Sequence, residues 1–502
     1  MVWSSGGDAA LIIAALGVGA VLSFVGSRLA KASGSKGWLE GGIIAILSCG
    51  LGFAFLMRPA TVWVYMRLDG LGRFVTALVL GLCGVVSIYS VRYMRESDGA
   101  GRYYGLLLLM SAGVVGVVAS RDTIGVYLYF ELMSISSYSL VSFRKDQWAP
   151  AEAGLKYAIM NATGTGLALL GVCLAYLYTG STSLGSVGWV LRGQGEYLSP
   201  AGIAFALTVA GLGVKSAMVP FHSWLPDAYS AAPAGVSAIL SGVVTETGLI
   251  AMLRLVLGEF SEGSRVFGGI LLIMAIVTMT VGNLGALGQR NIKRMLAYSS
   301  IAQVGYMMGG LGLGFGLGLP EGIRGGIFHL LTHSAMKSAA FLSAGLLIDL
   351  VGSTDMEKMR GAAREHPLEV GVLTMACLSL AGIPGFAGFM SKWWIYRAGL
   401  TSGSHLGIAV SVTAIANSII SLGYYLPLIF RLFAPGSGRV AEPEPEAFTT
   451  GVYPVAREIA WEVVPVIALG VAIMVLGTYP VPVLKALESA ASATMSLVRG
   501  GI

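Results

Sequence analysis

The chain has 502 residues, of which 55% are hydrophobic and only 12% charged. Soluble domains carry about 25% charge, so the composition excludes a water-soluble enzyme and describes an integral membrane protein. The net charge of +6 comes from dispersed Lys and Arg with no basic stripe among aromatics, which excludes nucleic acid as a partner and fits loops facing a cytoplasmic surface.

Apolar runs of about 20 residues, without the ten-residue alternation of an outer-membrane barrel, predict helical spans. Fourteen can be drawn, at 8–28, 41–57, 72–92, 104–120, 123–142, 154–178, 201–219, 234–256, 267–287, 295–314, 325–349, 368–391, 405–431 and 463–483. The first starts after Asp8 with no basic segment ahead of it and reads as a retained span, not a cleaved signal. Only the connections 350–367 and 432–462 have room for structure outside the bilayer, and the second holds AEPEPEA, an acidic, proline-rich solvated loop. Cys49, Cys83, Cys173 and Cys377 lie singly in apolar stretches and read as small buried hydrophobes, not as cluster or metal ligands. Loops after odd-numbered spans hold 17 Lys and Arg, against 11 in the remaining loops and tails. That bias predicts cytoplasmic odd loops and both termini outside the cell membrane.

Single charged residues interrupt the apolar spans: Glu131, Lys215, Glu246, Lys337 and Lys392. Each costs roughly 2.5–3.5 kcal/mol at the bilayer centre, so the most economical reading is a route for protons or small cations. Two spans also carry helix breakers. Span 7 holds Pro220, Pro226 and Pro233 around Lys215, and span 12 holds Pro384 and three glycines just before Lys392. A proline frees a backbone carbonyl, which is tolerable at membrane depth only beside protein or water. Broken helices five spans apart, each with a lysine, predict two related halves, spans 4–8 and 9–13. An odd number of spans per copy makes the second copy inverted. The expected organisation is a single transmembrane domain: helices 1–3 over 1–100, a first repeat over 101–260, a second over 261–432, and a loop with helix 14 over 433–502.

Five blocks identify a resemblance: YLYFELMSISSYSLV (127–141), KSAMVPFHSWLPDA (215–228), NIKRMLAYSSIAQVGYM (291–307), HLLTHSAMKSAAFLSAG (329–345) and LAGIPGFAGFMSK (380–392). The chain resembles, over about residues 100–430, the antiporter-like membrane subunits of respiratory complex I, the D-type subunits of Mrp antiporters and the matching subunits of energy-converting membrane-bound hydrogenases. The resemblance implies an all-α polytopic fold of about fourteen transmembrane helices, with two inverted five-helix repeats and broken helices 7 and 12.

Matched position for position, Glu131 and Lys215 resemble the family's glutamate–lysine pair. Desolvation disfavours the charged form of both groups and pairing restores it, so their separation would govern whether Lys215 keeps its proton. The alternative is a static ion pair fixing helix register. His329, His333 and Lys337 recur at i, i+4 and i+8 on span 11, so they share a face and cover about 12 Å of depth. Histidine passes protons near neutral pH, and the family places a proton path in this helix; a packing role for one histidine, or zinc held by HxxxH, are the competing readings. Lys392 resembles the family's terminal exit residue, against a lysine that snorkels to the interface. His222 and Asp227 are further candidates, for proton uptake or for positioning the break. Lys156 is a further candidate; it sits four residues after Glu152, and the competing reading is that such a pair at a helix entrance needs no further function. Glu246 departs from the pattern, standing where many close relatives carry lysine; it reads as a relay or cation site, against local pairing to a basic group.

The sequence therefore predicts a proton- or sodium-translocating subunit of a redox-driven complex, complex I-like or related to hydrogenases and sulfur reductases. The alternatives are the D-type subunit of a multisubunit Mrp-type Na+/H+ antiporter, and a scaffold that has lost transport. No cofactor or metal is expected in this chain; iron–sulfur or other redox centres belong to partner subunits. Expected partners are the lipid bilayer, a second antiporter-like or small membrane subunit, and a peripheral redox module.

Overall fold

The structure, a computed structural model, describes residues 8–32, 37–58, 66–95, 97, 99–184, 200–257, 263–435 and 462–499. The described residues are almost entirely helical, with isolated β-bridges and no sheet. The helices are α1 Asp8–Ala32, α2 Trp38–Leu56, α3 Gly70–Tyr93, α4 Ala100–Ala119, α5 Thr123–Val141 and α6 Trp148–Thr179. They continue as α7 Pro200–Lys215, α8 Trp224–Ala231, α9 Ala234–Ile239, a π turn at Leu240–Val244, α10 Thr245–Leu257, α11 Gly263–Leu287, α12 Ile292–Leu317 and α13 Pro320–Val351. The remainder are α14 Pro367–Ala381, α15 Ala387–Leu400, α16 His405–Phe433, α17 Val463–Thr478 and α18 Val481–Arg499.

Ten of the described helices are long and apolar enough to cross a membrane, counting α9 to α10 as one, or eleven with the pair α17–α18, which bends by 85°. Length and hydropathy thus stop short of the expected fourteen. Two of the missing spans lie at the breaks, where α7 and α14 are apolar but only 16 and 15 residues long. Another is α12, which is 26 residues long but too rich in glycine and polar residues to match the others in hydropathy. The connection 350–367 does hold structure, a series of turns and a short 3-10 helix at Ala362–Arg364. The AEPEPEA stretch lies outside the described residues.

Local sequence explains where helices start and stop. Asp122 and Asn291 cap α5 and α12 by accepting from the backbone N–H of Gly125 and Arg294, at 2.7 and 3.1 Å. Pro320 and Pro367 open α13 and α14 where no N–H partner is needed. At the first break the chain leaves α7 through Ala217 at φ 51°, and the Trp224 indole N–H donates to the Val214 carbonyl at 2.8 Å. At the second, Gly382 at φ 90° ends α14 in the left-handed conformation that glycine adopts without strain.

Residues 235–254 are buried throughout, and α4 and α13 nearly so, whereas α1, α6 and α16 turn most of their length outward. Leu22, Leu47, Leu155, Leu177 and Ile419 on the outer helices are exposed, the apolar coat that lipid requires. Helices α11 and α12 run backbone to backbone: a Cβ added at Gly268 would collide with the backbone of Gly316. Close approach at small residues is how helices gain contact in lipid.

Candidate functional site

Three clusters of buried polar side chains gather most of the candidate residues. Lys215, the last residue of α7, is 1% exposed. Its ammonium donates to the Tyr157 hydroxyl at 2.6 Å and to the Ser137 hydroxyl at 3.1 Å, and lies 4.8 Å from the Tyr157 ring centre. Those hydroxyls also bond each other at 2.9 Å. Trp224 stacks on Tyr157 at 4.1 Å. Glu131 stands on α5 six residues before Ser137, half-buried, and forms no ion pair with Lys215 among the described residues. The pairing expected of Lys215 is therefore taken by two hydroxyls in this conformation.

The second cluster surrounds Glu246, which is 1% exposed on the first turn of α10. His333 Nδ1 lies 2.5 Å from its carboxylate, and Ser334 donates to the other oxygen at 3.4 Å and to the Gly242 carbonyl. The local basic partner of Glu246 is thus itself one of the candidate residues. The Nε2 of His333 is buried with no partner, a position that water fills when it has room. Beside Glu246, the hydroxyls of Thr245 and Tyr229 bond at 2.5 Å.

The third cluster leads from α13 to the second break. The rings of His333 and His329 lie 6.2 Å apart. His329 Nδ1 contacts the Ser391 hydroxyl at 2.9 Å and its Nε2 the Gln303 carboxamide oxygen at 3.0 Å. Gln303 then donates to the Leu380 carbonyl at 3.2 Å, and Lys392 donates to that same carbonyl at 2.7 Å. Breaking the helix after Ala381 thus converts a spent backbone acceptor into a ligand for two side chains. Lys392 also donates to Ser418 at 3.1 Å and sits 4.2 Å from the Tyr306 ring centre. It is fully buried, so it is not a snorkelling anchor. Lys337 donates to the Leu296 carbonyl at 2.7 Å and to Ser299.

The other candidates lie at the rim or in the break. Asp227 pairs with Arg294 at 2.7 Å and with Lys156 at 3.1 Å, and Lys156 also holds Glu152 at 2.8 Å. His222 is half-buried between α7 and α8, with Nδ1 unbonded. Nearby a cavity of about 170 Å³ is lined by Arg144, Asn291, Lys293 and Asp349, and the buried Lys293 donates to the Ala232 carbonyl.

Ser137, Tyr157, Gln303 and Ser391 were not among the sequence candidates. All are neutral, so no isolated charge marked them, although Ser137, Gln303 and Ser391 fall inside three of the resembling blocks. Lys293 lies in the NIKRM block but next to a loop, where a lysine is unremarkable by sequence.

The three clusters bury the ammonium groups of Lys215, Lys337 and Lys392 with Glu246 as their one buried carboxylate, and a buried charge is tolerated only when it is paired, hydrogen-bonded or neutralised by proton loss. Hydroxyls and imidazoles between them supply groups that both accept and donate.

The family model described as "NADH:quinone oxidoreductase/Mrp antiporter, TM" matches residues 120–418. F(420)H(2) dehydrogenase subunit N of Methanosarcina mazei is 32% identical over 388 residues, 74% of this chain and 76% of that protein. NADH-quinone oxidoreductase subunit N of Parvibaculum lavamentivorans is 30% identical and covers 85% of each. A chain of the archaeal membrane-bound sulfane sulfur reductase, a respiratory membrane complex, superimposes with a TM-score of 0.81 at 26% identity, over 98% of this chain and 99% of that one.

Proposed function

The chain belongs to the NADH:quinone oxidoreductase/Mrp antiporter family of membrane subunits, and from that premise we propose that it carries ions across the membrane for a redox-driven complex. The observation that carries this is the set of buried groups Lys215, Glu246, His333, His329 and Lys392, in which Glu246 and His333 hold each other and the rest are held by hydroxyl, carboxamide and carbonyl groups. The ion is the proton: imidazoles, hydroxyls and ammonium groups hold and release protons, and they outnumber anionic oxygens that would hold sodium. The relatives it resembles are named as dehydrogenase and quinone-oxidoreductase subunits, which favours a redox complex over an Mrp-type antiporter.

In this reading Lys215 receives a proton, Glu246 and His333 hold it at mid-bundle, and His329 delivers it toward Lys392. Glu131, half-buried on α5, supplies the negative charge that favours a protonated Lys215, and Lys337 sets the charge met by His333. His222, Asp227 and Lys156 frame the first break. The two halves, residues 101–260 and 261–432, form the inverted repeats, each with one break and one terminal lysine. Electron transfer belongs to a peripheral module with its own redox centres. The complex sits in the cell membrane with both termini of this chain outside, as the excess of Lys and Arg in odd loops indicates.

The test is purification of the native complex through a tag on this chain, then reconstitution into sealed vesicles. Iron–sulfur polypeptides should copurify, and electron transfer should acidify one side without added sodium. Copurification with antiporter subunits alone, or strict sodium dependence, would refute it.

A further inference from the structure

The eight-residue helix α8 touches both of the first two clusters. At its start, Trp224 lies flat on Tyr157, rings 4.1 Å apart and 4° from parallel. Tyr157 is the phenol that accepts from Lys215, and the Trp224 indole N–H is bonded to the carbonyl of Val214, the residue before that lysine. Toward its other end, the Tyr229 hydroxyl meets Thr245 Oγ1 at 2.5 Å. Thr245 immediately precedes Glu246 and is the first α-helical residue after the π turn. Trp224 and Tyr229 themselves meet edge-on at 6.4 Å, and both are buried. Asp227, between them, fastens α8 to Arg294 of α12 and Lys156 of α6.

We propose that Tyr229 and Thr245 are positioning residues that couple the Lys215 site to the Glu246 site, with α8 as the rigid link between them. The proposal rests on the ion path described above. Close-packed interiors shift as units, so a change in how Lys215 holds Tyr157 displaces the stacked Trp224 and with it α8. The Tyr229–Thr245 bond passes that displacement to the residue beside Glu246. The groups that face Glu246 are His333 and Ser334 of α13, with Tyr229 and Thr245 on the α8 side; Lys337 lies one turn beyond His333.

The experiment uses the intact complex in lipid. The carboxyl band of Glu246 is followed by infrared spectroscopy across a pH series and assigned by its loss in Glu246→Gln. In the parent, Lys215→Met should change the proton affinity of Glu246 by about threefold or more, half a pH unit. In a Tyr229→Phe background that change should fall to less than half its size. Thr245→Val should reproduce the loss and Thr245→Ser should restore the coupling, which a merely structural role for these residues would not produce. The full change persisting in both Tyr229→Phe and Thr245→Val overturns the coupling, as does no change on Lys215→Met in the parent. A Glu246 carboxyl that never titrates overturns the ion path itself as well as this inference, so the two failures are distinguishable.

Discussion

Replacing Lys215 by methionine should stop pumping and leave the complex assembled. The ammonium makes two hydrogen bonds and one ring contact, and bonds to a charged group contribute about 1.5–3 kcal/mol each. Against that stands the desolvation of a fully buried charge, several kcal/mol per ion. Methionine fills nearly the same volume, and the Tyr157–Ser137 bond at 2.9 Å survives, so neither hydroxyl is orphaned. The net effect on stability should lie within about 2 kcal/mol of zero, leaning to stabilisation. The measurements are thermal disassembly of the purified complex and acidification of sealed vesicles during electron transfer. Disassembly should be unchanged or slightly delayed while acidification falls to background. Full pumping by the variant would refute the role of Lys215, and a complex that fails to assemble would show the lysine to be structural.

Glu246→Lys should pump at a reduced rate, since an ammonium there can donate to an unprotonated His333 Nδ1 and to Ser334; normal assembly with no pumping counts against a relay at this position. Gln303→Leu leaves His329 Nε2 without its partner and takes one of two donors from the Leu380 carbonyl, at about 1–3 kcal/mol. It should lower both the disassembly temperature and the pumping rate, and unaltered values of both would remove Gln303 from the path. Gly268→Val drives a side chain into the backbone of Gly316, an overpacking of about 1–3 kcal/mol or more. It should lower thermal stability while pumping per assembled complex stays near the parent value, as vesicle assays normalised to intact complex would reveal.

The features legible in the sequence were those that violate the membrane's rules. Lys215, Glu246, Lys337 and Lys392 stood out because lipid penalises charge, and the structure buries all four. Pro220, Pro226 and Pro384 marked the two breaks because a missing N–H cannot be hidden in a helix. The spacing of His329, His333 and Lys337 gave their common face on α13. The details that decide how those groups work were not legible. Tyr157, Ser137 and Gln303 are ordinary by composition, and only the folded bundle sets them against Lys215 and His329. The glutamate–lysine pair expected from the family pattern is absent as a direct contact, since the distance between α5 and α7 is a matter of packing and not of spacing. The shortfall from fourteen full-length spans comes partly from the breaks, which divide apolar segments into short pieces, and partly from α12, which is long enough but not apolar enough.

The π turn at Leu240–Val244 carries a geometric consequence for the carboxylate that follows it. A π turn winds one extra residue into the helix, and one α-helical residue subtends about 100° of rotation. Tightening this turn to α geometry would swing Glu246 roughly a quarter-circle around the helix barrel, off the imidazole of His333 and toward a different neighbour. The angular aim of this side chain is therefore stored in the winding of the five apolar and small residues that precede it. An insertion or deletion among them would re-point the group as surely as mutating it, with no change in its chemistry.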